Sequence, residues 1–205
     1  YIDTYASGRR NVTRHANIFA ILYDFADESK RASIVRNVLD NDGVPAITTP
    51  YFKFFELWAN CKLGRVEKML DQVRDYWGGM LALGATTIWE EYDPRQTFPG
   101  HYAMYGDLFG KSLCHAWGAG PIDLIGRYVA GFRAEAPGCR AFALEPRPSG
   151  LSALDTVIPL PDGGQVQLCW DERELRVLTD RPGGVLIWQG QRFPLTAGQE
   201  LRLSR

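Results

Sequence analysis

Residues 47–77 read ITTPYFKFFELWANCKLGRVEKMLDQVRDYW and carry the clearest structural signal in the chain. Thr49 followed by Pro50 is typical of a helix start, because proline fits the first helical position, where a missing N–H costs nothing. Apolar residues recur at helical spacing up to Gly64 and resume at once after it, as far as Trp77. Two helices joined by so short a link are predicted to be antiparallel neighbours.

The chain on either side of this stretch predicts further helices. Residues 11–27, NVTRHANIFAILYDFAD, place apolar side chains around most of a helix, which indicates burial on several sides. Asp27 can then cap another helix. A last helical stretch is predicted at residues 111–132, with a break near Pro121, because proline removes a backbone donor. We therefore expect the first part of the chain to be a series of αα-hairpins.

From residue 140 onward the sequence favours strands. Short apolar runs are separated by turns rich in Pro and Gly, such as PDGG at 161–164 and RPGG at 181–184. Several short strands in so short a stretch predict a small antiparallel β-sandwich. We therefore expect two domains, residues 1–139 and residues 140–205.

The composition argues against several classes of protein. The 205 residues contain 23 Lys and Arg against 24 Asp and Glu, which gives a net charge of −1. That balance argues against binding to nucleic acid or to an anionic membrane surface, because both rely on excess positive charge. No apolar run is long enough to span a bilayer. Four scattered cysteines and three histidines lack metal-ligand spacing, and the sequence indicates no cofactor.

The N-terminal residues YIDTYASGRR contain neither an initiator Met nor a signal-peptide pattern. We expect the chain to be a piece of a longer protein, and the sequence leaves its cellular compartment open. Arg9 and Arg10 are expected to be surface charges.

Residues 77–110 have the features of a functional loop. They show no sustained helical period, are punctuated by Gly and Pro, and are too numerous for an ordinary connection. The segment contains the acidic run EEYD at 90–93, which is either a solvated acidic loop or part of a site. Nearby backbone N–H groups and the hydroxyls of Thr86 and Thr87 would favour the ionised form of Glu90. Such surroundings would suit a carboxylate that works in its charged form.

Aromatic side chains could form the walls of a sugar site, although aromatics at helical spacing are more often core. The candidates are Tyr51, Trp77, Trp89 and Trp117. His115 by itself fits a core or capping histidine as well as a ligand contact, and His101 fits an ordinary loop residue.

Six blocks of sequence carry a family resemblance. They are HANIFAILYDF (15–25), TTPYFKFFELW (48–58), YWGGMLALGATTIWEEYDP (76–94), SLCHAWGAGPIDLIGRYVAGF (112–132), FALEPRPSGL (142–151) and QVQLCW (165–170). In this order they resemble the α-L-rhamnosidases of glycoside hydrolase family 78. The combination of GATTIWE with SLCHAWGAGP is the most specific part of the match.

The resemblance implies a multidomain chain, α then β. Residues 1–139 would be the second half of an (α/α)6 toroid of αα-hairpins, and residues 140–205 a small C-terminal β-sandwich. It implies hydrolysis of terminal α-L-rhamnosides with inversion, with Glu90 as general base and His115 in contact with rhamnose. Trp89, Trp77 and the tyrosine at position 51 would line the substrate. No cofactor is implied.

Three departures from the family pattern stand out. Glu91 occupies a position where a basic residue is common, and two adjacent carboxylates raise each other's pKa unless they point apart. Cys114 stands where Asn is common before the histidine. The general acid has no counterpart in this sequence, and we expect it upstream.

The sequence leaves two alternatives open. The chain could be a non-catalytic fragment that folds or binds carbohydrate, or it could belong to another six-hairpin glycosidase or to a polysaccharide lyase. Expected partners are a rhamnose-containing glycoside or polysaccharide, together with the missing N-terminal half of the barrel or a second copy of the chain. The last expectation arises because half a ring leaves apolar helix faces uncovered.

Overall fold

The computed structural model describes residues 1–2, 6 and 11–205, apart from the side chain of Asp162. Arg9 and Arg10, which the sequence suggests are surface charges, lie outside the described residues. The chain divides into two compact units, Tyr1–Pro121 and Ile122–Arg205. The domain boundary expected between residues 139 and 140 stays a prediction.

Helices supply most of the regular structure of the first unit. In chain order they are α1 (Arg14–Leu22), α2 (Glu28–Ile34), α3 (Pro50–Lys62), α4 (Val66–Ala82) and α5 (Gly120–Leu124), the last of which runs into the second unit. α2 continues into a π-helical turn at Val35–Leu39, and α5 into another at Ile125–Val129. The predicted cap of α2 is confirmed, because the Asp27 carboxylate accepts a hydrogen bond from the backbone N–H of Lys30 at 2.9 Å. The predicted proline at the start of α3 is also confirmed.

Apolar side chains from the first three helices form one core. Its buried members include Ile18, Ile21, Val38, Leu39 and Ala59. Two charged residues are buried as well: the Arg14 guanidinium lies 2.8 Å from one oxygen of Glu56, and the Lys53 ammonium lies 2.8 Å from the other. The Arg14–Glu56 pair joins α1 to the first turns of α3, and the Lys53–Glu56 pair lies within α3.

Residues 83–119 connect α4 to α5 without any α-helix or extended strand. Short 3-10 turns occur at Gly100–Tyr102 and Ala116–Gly118. The two ends of the segment lie side by side, because residues 112–115 pair through their backbone with residues 88–90. The segment is therefore a loop closed on itself.

The helix predicted over residues 111–132 is wrong in its first part. α-Helical structure starts only at Gly120, and Pro121 occupies its first turn. The backbone groups of residues 112–115 bond across to residues 88–90, so they are not free to make the bonds of a helix. A local pattern of apolar residues could not predict this pairing.

The second unit contains two four-stranded sheets. Its strands are β1 (Phe132–Ala134), β2 (Phe142–Leu144), β3 (Leu154–Pro159), β4 (Gln165–Trp170), β5 (Glu174–Thr179), β6 (Gly184–Trp188), β7 (Gln191–Pro194) and β8 (Leu201–Ser204). One sheet has the order β1–β2–β6–β7, and the other has the order β3–β4–β5–β8. Burial alternates along β4, where Val166, Leu168 and Trp170 are buried, Gln165 and Gln167 are exposed and Cys169 is half-buried. That period of two is typical of a strand with one buried face.

The expectation of a purely antiparallel arrangement is wrong for one pair. β2 and β6 run parallel, with Phe142 opposite Gly184, whereas the other five pairs are antiparallel. A parallel pair needs a long crossover, and here β3, β4 and β5 lie between the two strands in sequence. β1 precedes residue 140 and was not predicted.

The predicted fold class is also wrong. Residues 11–205 contain five α-helices and two four-stranded sheets, and no (α/α)6 toroid is present among them. A closed ring of that kind needs an inner and an outer layer of helices. In this chain residues 83–119 form a loop, and from residue 132 onward the only α-helical or strand structure is the eight strands of the two sheets, among the residues described. In the described part of the chain, no helix combines the length and the apolar character needed to cross a membrane.

Candidate active site

The backbone around Glu90 makes hydrogen bonds to two other parts of the chain, residues 112–115 and the residue Thr48 just before α3. Its N–H donates to the Ser112 carbonyl oxygen at 2.9 Å, and the N–H of His115 donates to the Ile88 carbonyl oxygen at 2.7 Å. Two residues further on, the N–H of Tyr92 donates to the Thr48 carbonyl oxygen at 2.8 Å, immediately before α3. The position of Glu90 is therefore fixed by the loop and by the start of a packed helix.

The Glu90 carboxylate accepts one hydrogen bond on each oxygen. The hydroxyl of Tyr105 donates to Oε1 at 2.9 Å, and the backbone N–H of Ser112 donates to Oε2 at 2.9 Å. The imidazole Nδ1 of His115 lies 3.9 Å from Oε2. The Glu90 side chain is 12% exposed, so it remains open on one side.

These neighbours favour the ionised form of Glu90. The Ser112 amide has the largest effect and lowers the pKa of the Glu90 carboxyl below its usual value. Burial has the next largest effect and opposes it, while the Tyr105 hydroxyl and then the nearby His115 and Lys111 lower the pKa further. The same contact raises the pKa of the Tyr105 hydroxyl, because an ionised phenol would lie beside a carboxylate. The hydroxyl of Thr87, expected to assist Glu90, bonds instead to the Leu113 carbonyl oxygen.

Glu91 has different partners. The Lys111 ammonium lies 2.5 Å from the Glu91 carboxylate and 3.1 Å from the Glu91 carbonyl oxygen. The Lys111 side chain is fully buried, and that of Glu91 nearly so. The two neighbouring carboxylates therefore bind two neighbouring residues of the facing segment, with Lys111 on Glu91 and Ser112 on Glu90. Asp93, the last acid of the run, bonds to Arg95 in a local turn.

A row of aromatic rings extends from His115. Its ring centroid lies 4.2 Å from that of Trp117, which in turn lies 5.3 Å from that of Tyr51. Trp117 is 45% exposed and Tyr51 is 42% exposed, so both present ring surface to solvent. His115, Trp117 and Tyr51 form what we call the aromatic row. Their exposure beside a carboxylate suits the apolar C–H face of a sugar ring.

The two other predicted wall residues support the site from within. The Trp77 indole donates a hydrogen bond to the Gly118 carbonyl oxygen at 2.9 Å, which holds the turn after Trp117. A Cβ on Gly118 would lie 2.2 Å from Ile88, so the close approach of the two segments needs glycine here. Trp89 is only 3% exposed, and its ring is parallel to that of His101. A direct contact of Trp77 or Trp89 with a ligand stays a prediction.

Sequence reasoning missed three residues that surround Glu90. They are Tyr105, Lys111 and Ser112. Gly106 fits a turn, but nothing in the sequence indicates that Tyr105 precedes it at positive φ or which side chain the turn faces. The contact of Ser112 involves its backbone, which leaves no signal in the residue type.

Neither a cavity elsewhere in the first unit nor a metal centre offers a second site among the described residues. A cavity of about 610 Å³ is lined by charged residues of α3 and α4, including Lys53, Glu56 and Asp75, but Glu90 is not among its lining residues. Its Glu56 is already neutralised by two cations. Among the residues that the structure describes, no group of three His, Cys, Asp or Glu side chains could hold a metal ion.

Comparison with known proteins gives structural relatives. No protein-family model and no curated protein matches the chain. A GH78-family rhamnosidase of Bacillus sp. GL1 is similar over 91% of this chain and 20% of its own, with 28% identity and a TM-score of 0.74. A rhamnosidase from Klebsiella oxytoca with rhamnose bound is similar over 62% of this chain and 24% of its own, with 29% identity and a TM-score of 0.54.

A third structure is similar to this chain in fold only, because its sequence identity is low. The α-L-rhamnosidase of Aspergillus terreus covers 93% of this chain and 24% of its own, with 16% identity and a TM-score of 0.66. The chain thus spans between a fifth and a quarter of the length of these structures. The first two of these neighbours are rhamnosidases, which supports a relationship to glycoside hydrolases.

Proposed function

We propose that this chain supplies the general base of an inverting α-L-rhamnosidase, and that Glu90 is that base. The observation that carries the proposal is the Glu90 carboxylate, held by the Ser112 amide and the Tyr105 hydroxyl beside the exposed aromatic row. The likeness to rhamnosidases, one of them with rhamnose bound, supports the choice of sugar.

The reaction requires an ionised carboxylate on one face of the sugar. Glu90 takes a proton from a water molecule whose oxygen attacks the anomeric carbon. The glycosidic C–O bond breaks, and the leaving oxygen takes a proton from a general acid. In inverting enzymes the two carboxyl groups are about 6.5–9.5 Å apart, which leaves room for the water. Glu90 is ionised at neutral pH, as an ordinary glutamate is, and its lowered pKa extends the ionised form to more acidic solution. The general acid comes from outside this sequence.

The aromatic row would hold the sugar. Tyr51 and Trp117 offer ring faces to its C–H groups, and His115 offers a ring nitrogen to a hydroxyl. Trp77 and Trp89 would support this surface from the interior. Trp77 does so through its hydrogen bond to Gly118, and Trp89 through its packing on His101. The substrate is a terminal α-L-rhamnosyl residue of a glycoside or polysaccharide.

The test is Glu90→Gln in the protein at its full natural length, assayed on an aryl α-L-rhamnoside. We expect turnover to fall by about three orders of magnitude or more, since a positioned base contributes about 10²–10⁴-fold. Glu67→Gln, at an exposed position of α4, is the matched control and should retain wild-type turnover. Nuclear magnetic resonance of the first product formed should detect the β-anomer of rhamnose. Near-wild-type turnover of Glu90→Gln, or an α-anomer as first product, would contradict the proposal.

A second candidate is a carbohydrate-binding role without catalysis. The exposed pair Tyr51 and Trp117 favours it, because two such rings can bind a sugar with no chemistry. Calorimetric titration of the 205-residue chain with L-rhamnose separates the two roles. Binding that persists in Glu90→Gln, together with unchanged activity of the full-length protein, would favour this candidate.

A further inference from the structure

Tyr105 lies in a backbone conformation that few residues of its size adopt. Its φ is +56°, and that of Gly106 is +88°. Met104 and Asp107 close the turn with two backbone hydrogen bonds of 3.0 Å, so Tyr105 and Gly106 are the two central residues of a tight hairpin. Turns with both central residues at positive φ favour Asn, Asp or Gly at the first of them, because a bulky side chain there is strained.

Burial does not explain this conformation. Tyr105 is 76% exposed, so its ring gains little from packing. Its hydroxyl nevertheless donates to Glu90 Oε1 at 2.9 Å. A strained residue at the surface whose polar tip contacts a partly buried carboxylate points to a role at that carboxylate.

The chain after the turn returns to the same carboxylate. A Cβ on Gly110 would lie 2.2 Å from the Met104 carbonyl oxygen, so the chain folds closely back on the start of the turn. Ser112 then places its amide on Glu90 Oε2. Residues 104–112 thus hold both oxygens of one side chain, one through a phenol and one through a backbone amide.

We propose that the Tyr105–Gly106 turn is a positioning element for Glu90, and that the Tyr105 hydroxyl sets the rotation of its carboxylate. The inference rests on the proposed function and adds to it a positioning residue. The terminal torsion of glutamate is broad, so a carboxylate held at one oxygen alone would rotate over a wide range. With both oxygens held, the lone pairs that remain face a fixed direction, in which a water can be deprotonated.

Two variants remove the contact in different ways. Tyr105→Phe deletes the hydroxyl and keeps the ring. Gly106→Ala keeps the tyrosine and strains the turn, because alanine disfavours the φ of +88°. The matched controls are Tyr23→Phe, at another exposed tyrosine, and Gly84→Ala, where the glycine has the same φ and the same open space around its Cβ position.

Kinetics in the full-length protein give the first readout. We expect Tyr105→Phe to lower kcat about tenfold to a hundredfold with little change in KM, since small misplacements of reacting groups cost factors of this size. The acidic limb of the kcat/KM profile should move to higher pH, because one donor to the ionised Glu90 is lost while the Ser112 amide, His115 and Lys111 remain. Gly106→Ala should shift the same quantities in the same direction, and both controls should match wild type. Unchanged kcat and an unchanged acidic limb in Tyr105→Phe would overturn the inference.

A second readout is independent of activity. The carboxyl carbon of Glu90 is titrated by nuclear magnetic resonance in the 205-residue chain, and its signal is assigned by its loss in Glu90→Gln. A higher pKa of Glu90 in Tyr105→Phe than in wild type supports the inference, and equal values overturn it. Wild-type turnover in Glu90→Gln refutes the proposed function, whereas the titration still reports whether Tyr105 acts on Glu90.

Discussion

Two carboxylates in the first unit are surrounded in opposite ways. Glu56 in α3 is 1% exposed and is bound by two cations, Arg14 and Lys53. Glu90 in the loop is bound by two neutral donors, the Ser112 amide and the Tyr105 hydroxyl, and keeps one open side. A carboxylate held by cations on both oxygens stabilises packing and cannot readily exchange a proton. One held by neutral donors is positioned, stays ionised and can accept a proton, so its surroundings suit chemistry.

The largest effect on stability should come from the structural carboxylate. Glu56→Ala leaves Arg14 buried beside α3 without its main partner. We expect the free energy of unfolding to fall by about 3–5 kcal/mol, the usual cost of breaking a buried ion pair. Urea unfolding followed by circular dichroism at 222 nm reports on the first unit, which holds most of the helix. Glu90→Gln serves as the comparison, and a similar loss there would show that both carboxylates are structural.

The second effect sharpens the contrast between Glu90 and its neighbour Glu91. Lys111→Met leaves Glu91 nearly buried with no cation, which should cost about 3 kcal/mol. The double variant Lys111→Met with Glu91→Gln removes both charges and should recover much of that loss. The same urea unfolding experiment measures the free energy of unfolding of the single and of the double variant. If the double variant is no more stable than Lys111→Met alone, the ion pair is not the reason for the burial of these two residues.

The third effect concerns the aromatic row. Trp117→Ala removes a half-exposed ring that also contacts His115, and we expect KM for an aryl rhamnoside to rise about tenfold, equivalent to about 1.4 kcal/mol of binding. The free energy of unfolding should change much less. Phe25→Ala, at an exposed aromatic far from Glu90 in sequence, is the control. An unchanged KM in Trp117→Ala would remove the row from the substrate site.

The smallest effect is on pH dependence. Because the folded state lowers the pKa of Glu90, the ionised form persists below the usual value of 4.5. The acidic limb of kcat/KM should therefore have its midpoint below pH 4.5. Any stabilisation by Glu90 is present above its unfolded pKa and is lost as pH falls through the folded pKa. If the acidic limb of kcat/KM is assigned to Glu90 and its midpoint lies above pH 4.5, burial raises the pKa of Glu90 more than the Ser112 and Tyr105 hydrogen bonds lower it.

Structural features that depend only on residues close together in the sequence could be predicted from it. The Asp27 cap and the proline that starts α3 depend on contacts within one helical turn, and both predictions are confirmed. The residues expected in the site depended on a family resemblance, and the structure brings Glu90, His115 and Tyr51 into one region. Their roles stay predictions.

Features that depend on distant contacts could not be predicted. Residues 111–119 have helical spacing, but their backbone pairs with residues 88–90. The parallel contact of β2 with β6 joins strands that three others separate in sequence. The ring of helices was carried over with the resemblance, and the described chain holds only a few of the helices that such a ring needs.

The most direct test of the account is chemical rescue of Glu90→Ala in the full-length protein. A small anion such as azide can enter the space that the side chain vacates and attack the anomeric carbon without a general base. We predict that azide restores turnover of an aryl α-L-rhamnoside with a good leaving group, and that the product is the β-L-rhamnosyl azide. A folded Glu90→Ala protein that azide does not reactivate, or that hydrolyses the substrate at the wild-type rate without azide, would contradict the assignment of Glu90 as the base.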